Sequence, residues 1–225
     1  MRELANQTGH DLEAMPSTRR GEAKVFEVPL RAATPAALRG FGRLVAPGEP
    51  AAVTIVRWPQ HGRRPVVAGT GVGGGTVRGR FAMERRGGRL YASNHAVRRH
   101  YITGWFGDPA EMGPDSVPEH PDAILTHEAN YHPDGGQLFV PMQPLPFVAL
   151  LAPPGDDVTP ASFVAFHFDG THGIHIDPGV WHEPLFPLAP RMSFDDEQGA
   201  VHACVSVDFV GEFGGYLRVP LGNLC

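Results

Sequence analysis

The sequence has little cysteine, a single lysine and no long apolar run, and each scarcity excludes a class of protein. Its two cysteines, Cys204 and Cys225, are too few for a disulfide scaffold or a thiolate metal cluster. Lys24 is the only lysine, the net charge is -5, and no arginine run alternates with aromatic residues, so a nucleic-acid surface is not expected. No stretch approaches the roughly 20 apolar residues of a membrane span. We therefore expect neither a nucleic-acid nor a membrane partner.

The 225 residues are enough for one sizeable core. Residues 1–22 contain few large apolar side chains and carry mixed charges, which predicts a disordered tail. They also lack the apolar segment of a secretory signal, so a cytoplasmic protein is expected. Residues 23–225 show no internal repeat or linker and are predicted to form a single domain.

Short runs with β-type composition, separated by turns, dominate the chain and predict a mainly β fold. Residues 201–209 alternate strictly between apolar and polar side chains, which is typical of a half-buried antiparallel strand. Many short strands with one or two short helices favour an antiparallel barrel or sandwich. The predicted strands are residues 25–30, 52–58, 66–68, 76–83, 90–92, 137–140, 147–152, 162–168, 173–177 and 201–209.

Two local patterns interrupt the strands. Thr34 followed by proline predicts the start of a short helix over residues 36–41, which would end at Gly42. Residues 69–74 match the spacing of a glycine-rich dinucleotide loop. Because the residues after them have strand character, whereas a phosphate loop needs a helix N-terminus, we predict a hairpin turn instead.

Two segments carry the candidate chemistry, and each joins a tight turn to an apolar strand. The first reads His132-Pro-Asp-Gly-Gly-Gln137-Leu-Phe-Val-Pro141, and the second Gly173-Ile-His175-Ile-Asp177-Pro-Gly-Val-Trp-His182-Glu183-Pro184. Such junctions can direct several polar groups into one apolar mouth. Histidine transfers protons near neutral pH, so His132 and His182 are the candidate acid–base residues. The alternative is a core histidine bonded to a carbonyl group.

The other polar residues of these segments have two interpretations each. Gln137 either binds substrate or ties two strands together, since a buried amide needs partners. Asp177 either orients an imidazole or serves as a turn aspartate before proline, and it shares a strand face with His175. Glu183 points away from His182 if the strand continues. Two histidines with a carboxylate would also suit iron(II) or manganese, although the sequence requires no cofactor.

The two segments resemble known families. Pro178-Gly-x-x-His182 is close to the later signature motif of cupin barrels, and His132 with Gln137 resembles the earlier one more loosely. More narrowly, His-Pro-x-Gly-x-Gln-x-Phe-x-Pro followed by Gly-Val-Trp-His-x-Pro resembles the ureidoglycolate lyase family of purine catabolism. Weaker likeness, including the spacing of Asn94 and Arg99, extends it over residues 24–209, with a poor fit at residues 51–90.

The resemblance implies a cupin-type barrel, a homodimer, and cleavage of ureidoglycolate to glyoxylate and urea. His182 and His132 would transfer protons. Asp177 would orient an imidazole or accept a hydrogen bond from a urea N–H. Gln137 would bind the urea group and Arg99 the carboxylate. Asn94, His175 and Glu183 complete the expected substrate site.

The chain departs from the family pattern at three positions. Asn130 stands where the family has glutamate, Asp177 where it has histidine, and Glu183 where it has a second histidine. Three alternatives therefore stay open: a lyase or hydrolase for a different small hydroxy-acid amide, a metal-dependent cupin enzyme, and a non-catalytic cupin that binds a small acid.

Overall fold

The computed structural model describes residues 24–56, 64–67, 74–116, 122–183, 185–200 and 203–221. The predictions for residues 1–22 and for most of the glycine-rich turn lie outside these ranges. The elements are β1 (Lys24–Glu27), β2 (Leu30–Ala32), β3 (Gly42–Val45), β4 (Thr76–Arg86), β5 (Arg89–Asn94), β6 (Arg99–Trp105), β7 (Ala123–Thr126), β8 (Glu128–Tyr131), β9 (Gln137–Pro141), β10 (Phe147–Ala152), a 3-10 turn (Pro160–Ser162), β11 (Val164–Phe168), β12 (Gly173–Ile176), β13 (Trp181–His182), β14 (Phe186–Pro187), β15 (Arg191–Gly199), β16 (Val205–Asp208), α1 (Phe209–Phe213) and β17 (Gly215–Pro220).

The strands form two sheets. The larger has the order β1-β17-β7-β6-β5-β4-β15-β9-β12-β3, and the smaller has the order β16-β8-β13-β10-β11-β2, with β14 paired to β10. Neighbouring strands are antiparallel except in the pairs β1–β17 and β2–β11. The prediction of a mainly β fold is confirmed. Within the described residues the sheets do not close into a barrel, so the sandwich alternative is the one observed.

Phenylalanine rings join the two sheets across a common apolar core. Phe147 of β10 meets Phe194 of β15 edge to face, with ring centroids 5.1 Å apart. All six residues of β10 are buried, because this strand has apolar neighbours on both faces. Burial of this kind contributes roughly 25 cal/mol per Å² of apolar surface and is the main stabilising contribution to the fold.

Strand β9 separates two different environments. Gln137 and Phe139 share one face because they are two residues apart, and Leu138 and Val140 share the other. Phe139 belongs to the main core, whereas Leu138 packs in a small separate cluster with Val45, Ala51 and Val53. We call these the core face and the outer face of β9. The face on which a side chain lies decides whether it can reach the candidate site.

Local differences from the sequence prediction have physical causes. Residues 35–41 form turns rather than a regular helix, although the Thr34 hydroxyl accepts a hydrogen bond from the Ala37 amide at 3.1 Å as a cap would. The last predicted strand ends at Asp208, because the Asp208 carboxylate caps α1 by accepting from two backbone amides. Gly214, with φ 75°, ends that helix. No helix in the described part of the chain is long and apolar enough to cross a membrane.

Candidate active site

Gln137 lies between two imidazole rings on the core face of β9. Its side-chain oxygen is 3.1 Å from Nε2 of His132 and 3.0 Å from Nε2 of His182. The three side chains come from different places: the turn before β9, the start of β9, and β13 of the other sheet. All three are buried, with 4–5% of their surface exposed. The structure thus brings together the two predicted acid–base histidines and the predicted glutamine.

The turn before β9 requires glycine for a steric reason. A Cβ atom at Gly136 would overlap the carbonyl oxygen of Ile176 and would crowd the His175 ring. The absence of a side chain lets the turn pack directly against β12 and fixes the direction in which His132 enters the core.

The Nδ1 atoms of both histidines also face oxygen atoms. Nδ1 of His132 is 2.8 Å from the carbonyl oxygen of Ala203, and Nδ1 of His182 is 2.9 Å from that of Val180. The ring centroids are 5.1 Å apart. A neutral imidazole has one N–H, whereas all four ring nitrogens face an oxygen of Ala203, Val180 or Gln137, which favours an extra proton on the pair.

The environment separates the two pKa values to opposite sides of neutrality. Burial and the nearby charge of His132 lower the pKa of His182 to about 3. Burial also acts to lower the pKa of His132, but the charge and hydrogen bond of Cys204, the Ala203 carbonyl and Asp134 outweigh it and raise this pKa to about 9. Two buried rings so close together cannot both be charged, so His132 carries the proton and His182 stays neutral.

A buried amide and carboxyl network holds the other side of Gln137. The Gln137 side-chain nitrogen donates to Oδ1 of Asp196 at 2.8 Å and to Oε1 of Gln198 at 3.1 Å. Asn94 donates to the same Gln198 oxygen at 2.9 Å. Asp196 and Gln198 lie on β15 beside β9, with Asp196 opposite Phe139 and Gln198 opposite Gln137. Asn94 therefore belongs to the cluster, through Gln198.

Buried carboxyl groups surround the cluster. Burial raises the pKa of Asp196 to about 7, against the opposing effects of Gln137, His132 and Asn94. Asp134 is 3% exposed, and both of its carboxylate oxygens lack a hydrogen-bond partner among the described residues. It packs against Gly199, where a Cβ atom would overlap its Oδ2 atom.

Arg99 and Tyr101 lie on β6, the strand beside the one that carries Asn94. Arg99 lies opposite Asn94 across the β5–β6 pair. Burial and the charge of Cys204 raise the pKa of Tyr101, while the charge of Arg99 acts in the opposite direction. The charges of Asp196 and Glu183 also act to raise the pKa of Tyr101.

His175 and Asp177 lie apart from the cluster, contrary to the sequence expectation. His175 pairs with Leu138 on the outer face of β9, and its Nε2 atom accepts from the Thr54 amide at 3.3 Å. Asp177 has a side chain that is 52% exposed, with Oδ1 3.5 Å from Nδ1 of His175. The two residues share a face as predicted, but it is the face that Gln137 does not occupy.

Glu183 follows His182 in the sequence and is buried, and within the described residues no hydrogen bond joins it to the cluster. Only 3% of it is exposed, and its Oε2 atom has no partner among the described residues. Burial and the charge of Glu128 raise its pKa well above the ordinary value. Asn130, paired with His182 across β8 and β13, likewise has a side-chain oxygen without a partner in the described part of the chain.

The described residues contain no group of three histidine, cysteine, aspartate or glutamate side chains arranged to hold a metal ion. A groove of about 350 Å³ lies elsewhere, between Val25, Phe106, Leu125 and Tyr216, and none of the predicted site residues lines it.

Sequence reasoning missed five residues near the site: Tyr101, Asp134, Asp196, Gln198 and Cys204. The sulfur of Cys204 is 3.6 Å from Nδ1 of His132. Asp196 and Gln198 had a usable signal, because they continue the buried alternation that begins at Met192 and Phe194.

Comparison with known proteins agrees with the sequence resemblance. The family described as ureidoglycolate lyase matches residues 120–207. That range contains both histidines and Gln137. A ureidoglycolate lyase of Azotobacter vinelandii is 39% identical over 83 residues, which is 36% of this chain and 49% of that protein. Those of Stutzerimonas stutzeri and Pseudomonas aeruginosa are 36% identical over 75 residues, covering 32% of this chain and 44% of each.

The resemblance to the ureidoglycolate lyase family that the sequence indicated is confirmed for residues 120–207. The chain spans about half the length of the curated relatives it matches. Asn94, Arg99 and Tyr101 lie outside the matched range, whereas the histidine pair and the β15 residues lie within it.

Proposed function

We propose that this protein is a carbon–nitrogen lyase that cleaves ureidoglycolate to glyoxylate and urea by acid–base catalysis. The supporting observation is the pair His132 and His182, bound to one amide oxygen, with pKa values of about 9 and about 3. Two titratable groups whose pKa values lie on opposite sides of neutrality are suited to act as acid and base at the same pH. The matched family supports the choice of substrate.

The reaction needs one proton to leave the substrate and one to enter it. Neutral His182 takes the proton from the hydroxyl group, the electron pair of that O–H bond forms the glyoxylate carbonyl, and the carbon–nitrogen bond breaks. Protonated His132 gives its proton to the leaving urea nitrogen. The proton then returns from His182 to His132, so the pair is restored without net proton uptake. General acid and general base catalysis each contribute roughly 10²- to 10⁴-fold.

The remaining groups have supporting roles in this proposal. Gln137 holds the two rings in position, since its oxygen and nitrogen are already bonded within the protein. Arg99 is the candidate to bind the substrate carboxylate, because a guanidinium group binds carboxylates in two places. The low exposure of both histidines means that substrate entry must displace side chains that now cover them. A homodimer, a cytoplasmic location and a single domain from residue 23 stay predictions.

Turnover of ureidoglycolate by the purified chain tests the proposal. His182→Asn should keep the fold and much of the substrate affinity, but should lower kcat by about 10²-fold or more, or about 2.7 kcal/mol of barrier, because asparagine cannot shuttle a proton. His175→Asn is the matched control, since this ring lies on the outer face of β9. Tight binding of a small acid without turnover would favour the alternative of a non-catalytic cupin. Turnover that His182→Asn leaves intact would restrict His182 to a structural role.

A different hydroxy-acid amide is the second candidate substrate. The observation that favours it is the buried carboxyl group of Glu183, whose Oε2 atom has no hydrogen-bond partner among the described residues, at a position where the family has histidine. A group of this kind can donate a hydrogen bond when protonated and changes which substrate group fits beside His182. Assays with related hydroxy-acid amides, with and without divalent metal, separate this candidate and the metal-dependent one from ureidoglycolate cleavage.

A further inference from the structure

Three amide side chains form a continuous hydrogen-bonded line from the backbone of the β5–β6 turn to the two histidines. Asn94 accepts through Oδ1 from the backbone amides of Ala96 at 3.0 Å and Val97 at 3.4 Å. Its nitrogen donates to Gln198, and the nitrogen of Gln137 donates to the same Gln198 oxygen. We call Asn94, Gln198 and Gln137 the amide relay.

The backbone fixes the direction of every bond in the relay. Only the oxygen of Asn94 can accept from backbone N–H groups, so its nitrogen must point at Gln198. The Gln198 atom that receives this nitrogen must then be its oxygen, and the Gln137 atom facing that oxygen must be a nitrogen. Gln137 has one orientation left, with its oxygen toward the histidines. Asp196 supports the same orientation by accepting a second N–H from Gln137 at 2.8 Å.

We propose that Asn94 and Gln198 are positioning residues, which orient the Gln137 amide so that its oxygen faces Nε2 of both His132 and His182. Neither residue needs to touch substrate for this role. The sequence expectation for Asn94 was substrate binding, whereas its bonds in the structure are to the backbone and to Gln198.

The orientation determines where protons reside. An oxygen between the two rings gives a proton on either Nε2 atom an acceptor, which favours the charged form of His132. A reversed amide would present N–H groups to the rings instead. Each Nε2 atom would then have to be unprotonated and accept a hydrogen bond through its lone pair. Both rings would then be neutral, with their remaining protons directed at the Ala203 and Val180 carbonyls. The relay thus favours the doubly protonated ring that acid catalysis needs.

Asn94→Asp tests this inference on the full chain. The substituted carboxylate still accepts from the two backbone amides but cannot donate to Gln198, so the bond directions along the relay should reverse. Titration of the ring nitrogens by NMR should show the His132 midpoint falling by about one pH unit or more. The sign is decisive, because an added negative charge alone would raise this pKa. A midpoint that rises or stays in place overturns the inference.

Two further variants complete the experiment. Gln198→Met keeps the length of the side chain but removes one of the two oxygens that orient Gln137, the other being that of Asp196. It should therefore lower the same midpoint, by less than Asn94→Asp, even if Asn94→Asp fails to fold. Gln143→Glu is the control, because this exposed side chain accepts from the Ser193 amide and gains the same charge without joining the relay. It should leave the His132 midpoint unchanged.

The catalytic consequence rests on the proposed lyase function, whereas the orientation does not. If the relay acts as inferred, Asn94→Asp should move the alkaline limit of kcat toward neutral pH and change KM little. NMR shifts without any turnover would reject the lyase proposal and keep the relay. Turnover with an unmoved His132 midpoint would reject the relay and keep the lyase.

Discussion

The two faces of β9 hold histidines in opposite situations. On the core face, His132 and His182 share the Gln137 oxygen and have acceptors at all four ring nitrogens. On the outer face, Nε2 of His175 accepts from a backbone amide, and its Nδ1 atom is 3.5 Å from the exposed carboxylate of Asp177. Strands alternate their side chains, so a shift of one residue in register separates a candidate catalytic ring from a structural one.

The contrast shows that burial alone does not mark a functional histidine. His132 is 5% exposed, His182 4% and His175 3%, so exposure ranks them together. The three rings differ in their hydrogen-bond partners. A ring that accepts a hydrogen bond from a backbone amide is held neutral, whereas a ring that faces only acceptors can hold a second proton. Each of the following predictions tests one part of this difference between the faces.

The largest effect is expected on stability, from removing the core-face ring that anchors β9. Phe139 is 1% exposed and meets Phe81 and Phe194 edge to face, so Phe139→Ala should lower the free energy of unfolding by about 3–5 kcal/mol. Val140→Ala on the outer face, where the side chain is half-buried, should cost about 1 kcal/mol. Urea denaturation measures both. Equal losses would mean that side chains on the two faces of β9 contribute equally to the free energy of unfolding.

The next effect is on turnover of ureidoglycolate. His132→Gln should lower kcat by about 10²-fold, because glutamine fills the space but cannot give a proton to the leaving nitrogen. His175→Gln should change kcat by less than about twofold, because this ring lies on the outer face. A comparable loss in both variants would contradict the assignment of catalysis to one face.

The histidines on the two faces of β9 should change the pH dependence of stability in opposite directions. The pKa of His132 is raised in the folded state, so the stability it contributes is full below about pH 6.5 and is lost as pH rises through about 9. The pKa of His175 is lowered by burial, so its cost appears only as pH falls below about 6.5. Unfolding measured from pH 5 to 10 should lose its alkaline slope in His132→Gln and keep it in His175→Gln.

The smallest effect concerns Cys204. Its charge and hydrogen bond raise the pKa of His132, so Cys204→Ala should shift the alkaline loss of stability toward neutral pH while leaving the fold intact. Met142→Ala, at an exposed side chain of the loop after β9, serves as the control for a small truncation. An alkaline midpoint that does not move would show that the Ala203 carbonyl and Asp134 hold the His132 proton without help from the thiol.

Much of the fold was predictable because its strands carry strong local patterns. Residues 147–152 were predicted with the bounds observed for β10, and residues 137–140 nearly so for β9. The strand β6, Arg99–Trp105, was missed because its second half is buried on consecutive residues and has no period of two. The helix α1 was missed because it is only five residues long and begins at Phe209, the last residue of the alternating pattern.

The candidate site was predictable only where turn chemistry marked it. His132, Gln137 and His182 stand at turn-to-strand junctions, and the structure brings all three together. Asp196 and Gln198 belong to β15 and to no turn motif. The local alternation indicates their burial, but their position beside Gln137 depends on the β9–β15 register, which no local pattern encodes. The same limit explains His175, whose separation from the cluster follows from its pairing with Leu138.

Positions 134 and 199 illustrate how the packing restricts change in this sequence over time. The Asp134 carboxylate occupies the volume that any larger side chain at Gly199 would need. Gly199→Ala alone should therefore push the carboxylate away from His132 and weaken its influence on that ring. A related sequence with a larger side chain at position 199 is therefore expected to have a shorter one at position 134. Substitutions at the two positions are expected to occur together.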